Sequence, residues 1–201
     1  MDLTTLLNSP IGKGMIDNVA SQLNIDKNQT SAAVGLAVPA ILAGLTKNAQ
    51  STKGAESLNK ALNEDHDGSL LDNLSGMFKS KPDALQQDGN GILDHIFGKE
   101  RPAIEKGIAK QSGLNLAQVG PMLSMLAPII MAFIGKQKQQ TKTQAGGLGD
   151  LLGGLLGAGT PQKKSSGGLL GNVVGGLLGG VGGGKKSSGN LVNDILGELL
   201  K

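Results

Sequence analysis

Two short acidic runs hold the residues best suited to chemistry. Asp65-His66-Asp67-Gly68 and Asp88-Gly89-Asn90-Gly91 combine carboxylates, an imidazole and glycines, and His95 follows the second run. Asp-x-Asp-Gly resembles the opening of a calcium loop. An EF-hand, however, needs glycine at its sixth loop position and a bidentate glutamate at its twelfth. Counted from Asp65, glycine stands fourth and the twelfth residue is Gly76, so the pattern fails. The runs are instead predicted to be turns whose carboxylates cap helices starting near Leu70 and Ile92. A two-histidine metal or proton-transfer site is conceivable. His66 nevertheless falls in a turn and His95 in a polar slot of an otherwise apolar motif, so surface or capping roles are expected for both.

Other reactive constellations are missing from the sequence. The chain has no cysteine, which excludes disulfides, thiolate nucleophiles and thiolate metal sites and fits a reducing compartment. No serine sits in a G-x-S-x-G elbow, and no phosphate-binding glycine motif follows a strand. Gly182-Gly183-Gly184-Lys185-Lys186-Ser187 lacks both the upstream strand and the spacing. Catalytic residues, metals and cofactors are therefore not expected. Lysines occur as isolated pairs, Lys163-Lys164 and Lys185-Lys186, beside the single arginine Arg101. With no aromatic platform for stacking, nucleic acid is not an expected partner.

The elements that must carry these residues are helical. With no Trp or Tyr and only Phe78, Phe97 and Phe133, the core is aliphatic, and the aromatic and Thr-rich alternation of sheets is absent. The chain also repeats itself. Val19–Gln50 aligns with Ile108–Gln139 without a gap at an offset of 89, pairing Pro39 with Pro128 and Lys47 with Lys136. Each copy reads as an amphipathic helix, a polar linker and a strongly apolar helix. The apolar helices should be central, with a shared kink or break at the prolines and lysines suited to a helix C-terminus. The fold expected is an all-α, multi-helical bundle built from two pseudo-repeated helical hairpins (about 6–50 and 92–139) related by a pseudo-two-fold. Val119–Gly135 approaches the length of a membrane span, but it holds Pro121 and Pro128, and its partner 31–45 is too short to cross a bilayer. With no basic region at Met1-Asp2-Leu3, no secretory signal is read, and a cytoplasmic protein is expected.

Composition breaks near residue 140. Residues 1–140 are neutral, whereas 141–201 hold six lysines against Asp150, Asp194 and Glu198, which accounts for the whole net charge of +3. Nineteen of the 33 glycines lie in that last stretch. A seven-residue motif of an apolar pair, two polar or small residues, an apolar pair or near-pair and a closing glycine recurs there. It appears at Leu151–Gly157, Leu169–Gly175 and Leu191–Gly197, and within the body at Leu70–Gly76 and Ile92–Gly98, with a weak copy at Leu6–Gly12. Its apolar positions share one helical face, and the glycine is a natural stop. Such short helices are unstable alone, because nucleation is costly and internal glycine costs about 1 kcal/mol relative to alanine. The tail is thus expected to be partly disordered, a string of short amphipathic helices on Gly/Ser/Lys linkers.

The run DHDGSLLDNLSG followed by DGNGILDHIFG, flanked by the two apolar hairpins, resembles the YidB-like bacterial family, a domain of unknown function (937). The resemblance covers about residues 1–140, with the tail outside it. It implies a multi-helical bacterial domain and assigns no catalytic residues.

Three functional classes follow. The first is an interaction or self-assembly module, whose tail helices dock on the helical domain, on another copy or on another protein. The candidate contact residues are Leu151, Leu152, Leu155, Leu156, Leu169, Leu170, Val173, Leu191, Ile195 and Leu199. The alternative is peripheral binding to an anionic membrane surface through the same faces and the flanking lysines. An enzyme is the least supported, and a deep pocket gathering His66, His95 and several aspartates would revive it.

Overall fold

The computed structural model describes residues 7–156, which are helical with no strand among them. The helices are α1 (Pro10–Leu23), α2 (Lys27–Ala49), α3 (Thr52–Glu64), α4 (Leu74–Ser80), α5 (Pro82–Phe97), α6 (Arg101–Ser112), α7 (Leu116–Thr141) and α8 (Leu148–Leu155). Short 3-10 turns precede α4, α6 and α8. The all-α class expected from the aliphatic core is the class observed.

The chain's own chemistry sets the boundaries. Ser9, Asp26, Ser51 and Asn115 each cap a helix by accepting backbone N–H groups that lack an intrahelical partner. At Asn115 the cap is reciprocal, since the Gln118 side chain accepts from the Asn115 backbone N–H. The two sequence copies match locally. Asp26 and Asn115 both cap the long apolar helix. The preceding helices end on left-handed residues at equivalent positions, Asn24 (φ 50°) and Gly113 (φ 75°).

Helices α2 and α7 are the hubs. Each touches α1, α3, α5, α6 and α8, and they touch each other. The most extensive packing of α7 is not with its sequence counterpart but with α5. Burial on α7 runs almost unbroken from Met122 to Gly135, which is why its apolar residues show so little periodicity. Both prolines lie inside continuous helices, so the expected break does not occur. A proline in a helix interior frees the carbonyl four residues earlier, and for Pro128 that is Ser124.

The apolar segment 31–45 is part of a 23-residue helix, so length does not exclude a span as the sequence suggested. Both long helices are long and apolar enough to cross a membrane. Yet 78% of the apolar window of α7 and 61% of that of α2 are buried by the rest of the protein.

Three local expectations are corrected. Asp88-Gly89-Asn90-Gly91 is not a turn or a cap but lies within α5. The reason is tertiary: a Cβ on Gly89 would fall on the Ser124 carbonyl oxygen of α7, so glycine is what lets the two backbones meet. Gly76 does not stop a helix, since a 3-10 turn over Ser69–Asn73 leads into α4 and Gly76 lies inside it. Gly12 likewise lies in the first turn of α1. Gly98 does end α5, at φ 49°.

The packed body also continues past residue 140. The first tail unit forms most of α8, whose Leu148, Leu152 and Leu155 are buried in the same core as Ile41, Leu45 and Ile134. Helix α8 packs on α2, α3 and α7.

The crossing at Gly89 gives a paired prediction. Gly89→Ala should lower unfolding stability by about 3 kcal/mol, the upper end for overpacking a tight core. Gly91→Ala, in the same helix with nothing within 4 Å of the new methyl group, should raise it by about 0.5–1 kcal/mol. Urea unfolding followed by circular dichroism checks both. Equal effects would remove the crossing from its controlling position.

Candidate functional site

A cleft of about 600 Å³ opens between the C-terminal half of α2, the helix α3 and the exposed side of α5. Its floor is aliphatic, with Leu45, Leu58, Ile92, Ile96 and Met131 contributing. Its rim carries Asp65, His66, Gln87, Asp88 and His95. The two acidic runs, more than twenty residues apart in sequence, therefore meet at one opening. That is the gathering of His66, His95 and aspartates named above as what would revive an enzyme, here without a nucleophile among the described residues hydrogen-bonded to either histidine.

Each rim residue has a local cause. His66 follows the end of α3, where its backbone N–H donates to the Ala61 carbonyl at 3.0 Å. The next residues form a tight turn. Gly68 takes φ 106°, and the Asp67 carboxylate accepts the Ser69 N–H at 2.9 Å, which holds Asp67 below the usual carboxylate range. This confirms the turn reading for the first run. The loop is tied to α7 by Gln139 donating to the Asp67 carbonyl at 3.0 Å and by Lys136 pairing with Asp72 at 3.4 Å. A Cβ on Gly135 would overlap the His66 carbonyl oxygen, so the loop lies directly against α7.

His66 is not a surface residue. Its side chain is only 8% exposed, and Nε2 lies 3.8 Å from the Asp88 carboxylate, an ion pair when the imidazole is protonated. Burial raises the Asp88 carboxyl above its ordinary 3.8, with His66 opposing the shift and the negative charge of Asp65 adding to it. His95, in the last turn of α5, is exposed on the same opening. The geometry supplies two carboxylates, Asp65 and Asp88, with His66 3.8 Å from the second, over an apolar floor. Ser57 lines the cleft, but no hydrogen bond joins it to either histidine. Among the described residues there is no group of three or more His, Cys, Asp or Glu placed to hold a metal. The arrangement suits recognition of a cationic group carried on an apolar one.

Behind the cleft, on the α5–α6–α7 side, sits a cluster that sequence reasoning missed. Arg101 donates to Asp94 at 2.7 Å, to Glu105 at 2.8 Å and to Asn90 at 2.6 Å. Ser124 Oγ donates to the same Asn90 oxygen at 2.7 Å. Burial works against the Arg101 charge, but the bonds to Asp94 and Glu105 outweigh it and hold the guanidinium above its ordinary value. The available signal was that Arg101 is the only arginine, chosen over lysine where a planar, multidentate donor is required.

The tail residues divide. Leu152 and Leu155 are buried in the core, and Leu151 and Leu156 are half-buried against it. None of these four lies at the cleft. Leu169, Leu170, Val173, Leu191, Ile195 and Leu199 lie outside the described residues.

The chain belongs to a family of bacterial proteins of unknown function, DUF937, whose family model matches residues 5–137. The YidB-like resemblance drawn from the Asp-Gly runs is consistent with that family. No curated protein and no solved structure matches the chain.

Two outcomes follow from this geometry. Because the folded pKa of Asp88 is raised, the fold favours its neutral form. That contribution is fully present below the unfolded value and is lost as pH rises through the folded one. Asp88→Asn should therefore unfold at higher urea than the parent at neutral pH, with the gap closing below pH 3.8. A variant less stable than the parent at neutral pH would show that the His66 pair outweighs burial. Leu152→Ala should cost about 2–4 kcal/mol, as for a buried leucine. A cost below about 0.5 kcal/mol, usual for a surface site, would detach α8 from the core.

Proposed function

We propose that this protein is a non-enzymatic association module, in which the repeated Gly/Leu units of the C-terminal segment dock on helical domains of this chain or its neighbours. The observation that carries this reading is α8. It holds Leu151–Leu155 of the first of three such units, and it is helical where its leucines are covered by α2, α3 and α7. A helix so short, with Gly149, Gly153 and Gly154 within it, gains too few hydrogen bonds to be stable by itself. Its order comes from the surface it covers.

The two units further along repeat the apolar pattern at Leu169–Gly175 and Leu191–Gly197, on linkers rich in Gly, Ser and Lys. Linkers of that composition let each unit search for an acceptor independently. Docking in a neighbour is heterologous and continues from copy to copy. Two further units on one string add avidity without tight individual contacts.

Sedimentation of the full chain over a concentration series tests the proposal. The average mass should rise with concentration. It should stay monomeric in the variant carrying Leu169→Ser, Leu170→Ser, Val173→Ser, Leu191→Ser, Ile195→Ser and Leu199→Ser. A parent that remains monomeric throughout would refute self-association. Pelleting of that monomer with anionic vesicles at low salt would then assign the same apolar faces to a lipid surface.

A further inference from the structure

We infer that the cleft between α2, α3 and α5 is the acceptor for the lysine-led unit Lys163–Gly175, with Asp65 and Asp88 receiving its ammonium groups and the aliphatic floor its Leu and Val side chains. This rests on the association reading and adds where the docking happens. The surface used by α8 is already covered by α8, so the later units need a different acceptor.

The later units differ from the first in a way that matches the cleft. Lys163–Gly175 and Lys185–Gly197 share one frame at an offset of 22: two lysines, two serines, a glycine, one small residue, an apolar pair, two small or polar residues, a second apolar pair and glycine. The segment before α8 carries a single lysine, Lys142, the left-handed cap of α7. A double positive charge a few residues ahead of an apolar block is thus specific to the two units with no assigned surface.

The cleft presents the complement. It has an apolar floor, two carboxylates at the rim, and no lysine or arginine among the described residues that line it. Its volume falls within the range that takes a compact ligand or a few side chains. Asp88 keeps its carboxylate at a cost from burial, with only a histidine nearby to offset it. An ammonium group permanently charged at neutral pH offsets that cost more fully.

Reach is not an obstacle. Helix α8 packs on α3, the helix whose Ser57, Leu58 and Ala61 line the cleft. Residues 157–168 span up to roughly 40 Å when extended. A body of this size has a radius of gyration of about 15 Å. The unit can therefore enter its own cleft or that of an adjacent copy.

The cysteine-free sequence makes disulfide trapping in the full chain a clean test. Gln87→Cys places a thiol on the rim, and Ser166→Cys places one between the lysines and the apolar block. Lys106→Cys, exposed on α6 away from the cleft, combined with Ser166→Cys is the control. Under mild oxidation the 87–166 pair should close on the order of tenfold faster than the 106–166 pair, reflecting a raised effective concentration. Asp65→Lys with Asp88→Lys should slow the 87–166 closure roughly fivefold, as for two partly exposed ion pairs. Adding Lys163→Glu and Lys164→Glu should restore it, which a merely misfolded rim would not allow. Disulfide-linked monomers place the unit in its own cleft, and linked dimers that increase with concentration place it in a neighbour's; either supports the inference. Equal closure rates for the two pairs overturn it. If the full chain still associates in sedimentation while those rates are equal, only the cleft is wrong and the association reading stands. If closure is selective but the mass stays monomeric, the cleft stands and self-assembly is wrong.

Discussion

The backbone of α5 meets the backbone of α7 at Gly89 and Ser124, and much of the molecule is arranged around that meeting. Two helices approach this closely only where one of them has no side chain. Pro128 contributes from the other side, since it releases the Ser124 carbonyl from the helical ladder at the point of contact. Next to the crossing, Ser124 Oγ, Asn90 and Arg101 form a polar clasp that ties α5, α6 and α7 together. Once α5 is fixed there, its opposite side faces α3 and the end of α2, and Asp88, Ile92 and His95 fall along one opening. The crossing is the most extensive contact of α5, and with the packing of α5 on α2, α4 and α6 it sets how α5 presents those residues.

A core without Trp or Tyr places its own demands on the fold. Aliphatic side chains bury less area each than aromatic rings, so stability has to come from many contacts around long central helices. α2 and α7 meet that need by being covered on nearly every side. Each long buried helix starts in the same local way, from a left-handed residue (Asn24, Gly113) followed by a side-chain cap (Asp26, Asn115). Helix α2 packs on α6, and α1 on α7. One of the three aromatic rings fills a place where a glycine lets the helices come close. Phe97 lies against Gly44, where an added Cβ would be 2.7 Å from its ring.

How far the sequence foretold this depends on whether a residue's role is local. The apolar runs of α2 and α7, the stop at Gly98 and the turn at Asp67-Gly68 were legible, because composition and backbone preference decide them within a few residues. Asp88-Gly89-Asn90-Gly91 was not. Its composition favours a turn, and only the partner backbone on α7 makes glycine at position 89 a helical residue. The same holds for Gly76. His66 read as a surface or capping group and Asp88 as part of a capping turn, and their 3.8 Å approach exists only once α5 is packed. The composition break at residue 140 was visible in charge and glycine content, yet packing ignores it. Leu148, Leu152 and Leu155 recur at helical spacing, and that outweighs the glycines between them.

The cleft's chemistry bears on why such a body would carry so repetitive a C-terminal segment. A half-exposed carboxylate raised by burial is a cost the fold could remove with one asparagine, and structural reasons for keeping it are weak here, since only His66 opposes the shift and the negative charge of Asp65 adds to it. Groups held at a cost in stability cluster where binding happens. A cationic, apolar visitor removes the cost, and the chain itself carries two segments of that description. Under the proposed association, the domain is scaffold and acceptor together. The glycine-set crossing opens an acidic, oil-floored cleft on one side of α5, and α8 on the neighbouring surface shows what a Gly/Leu unit does when it finds a surface to cover.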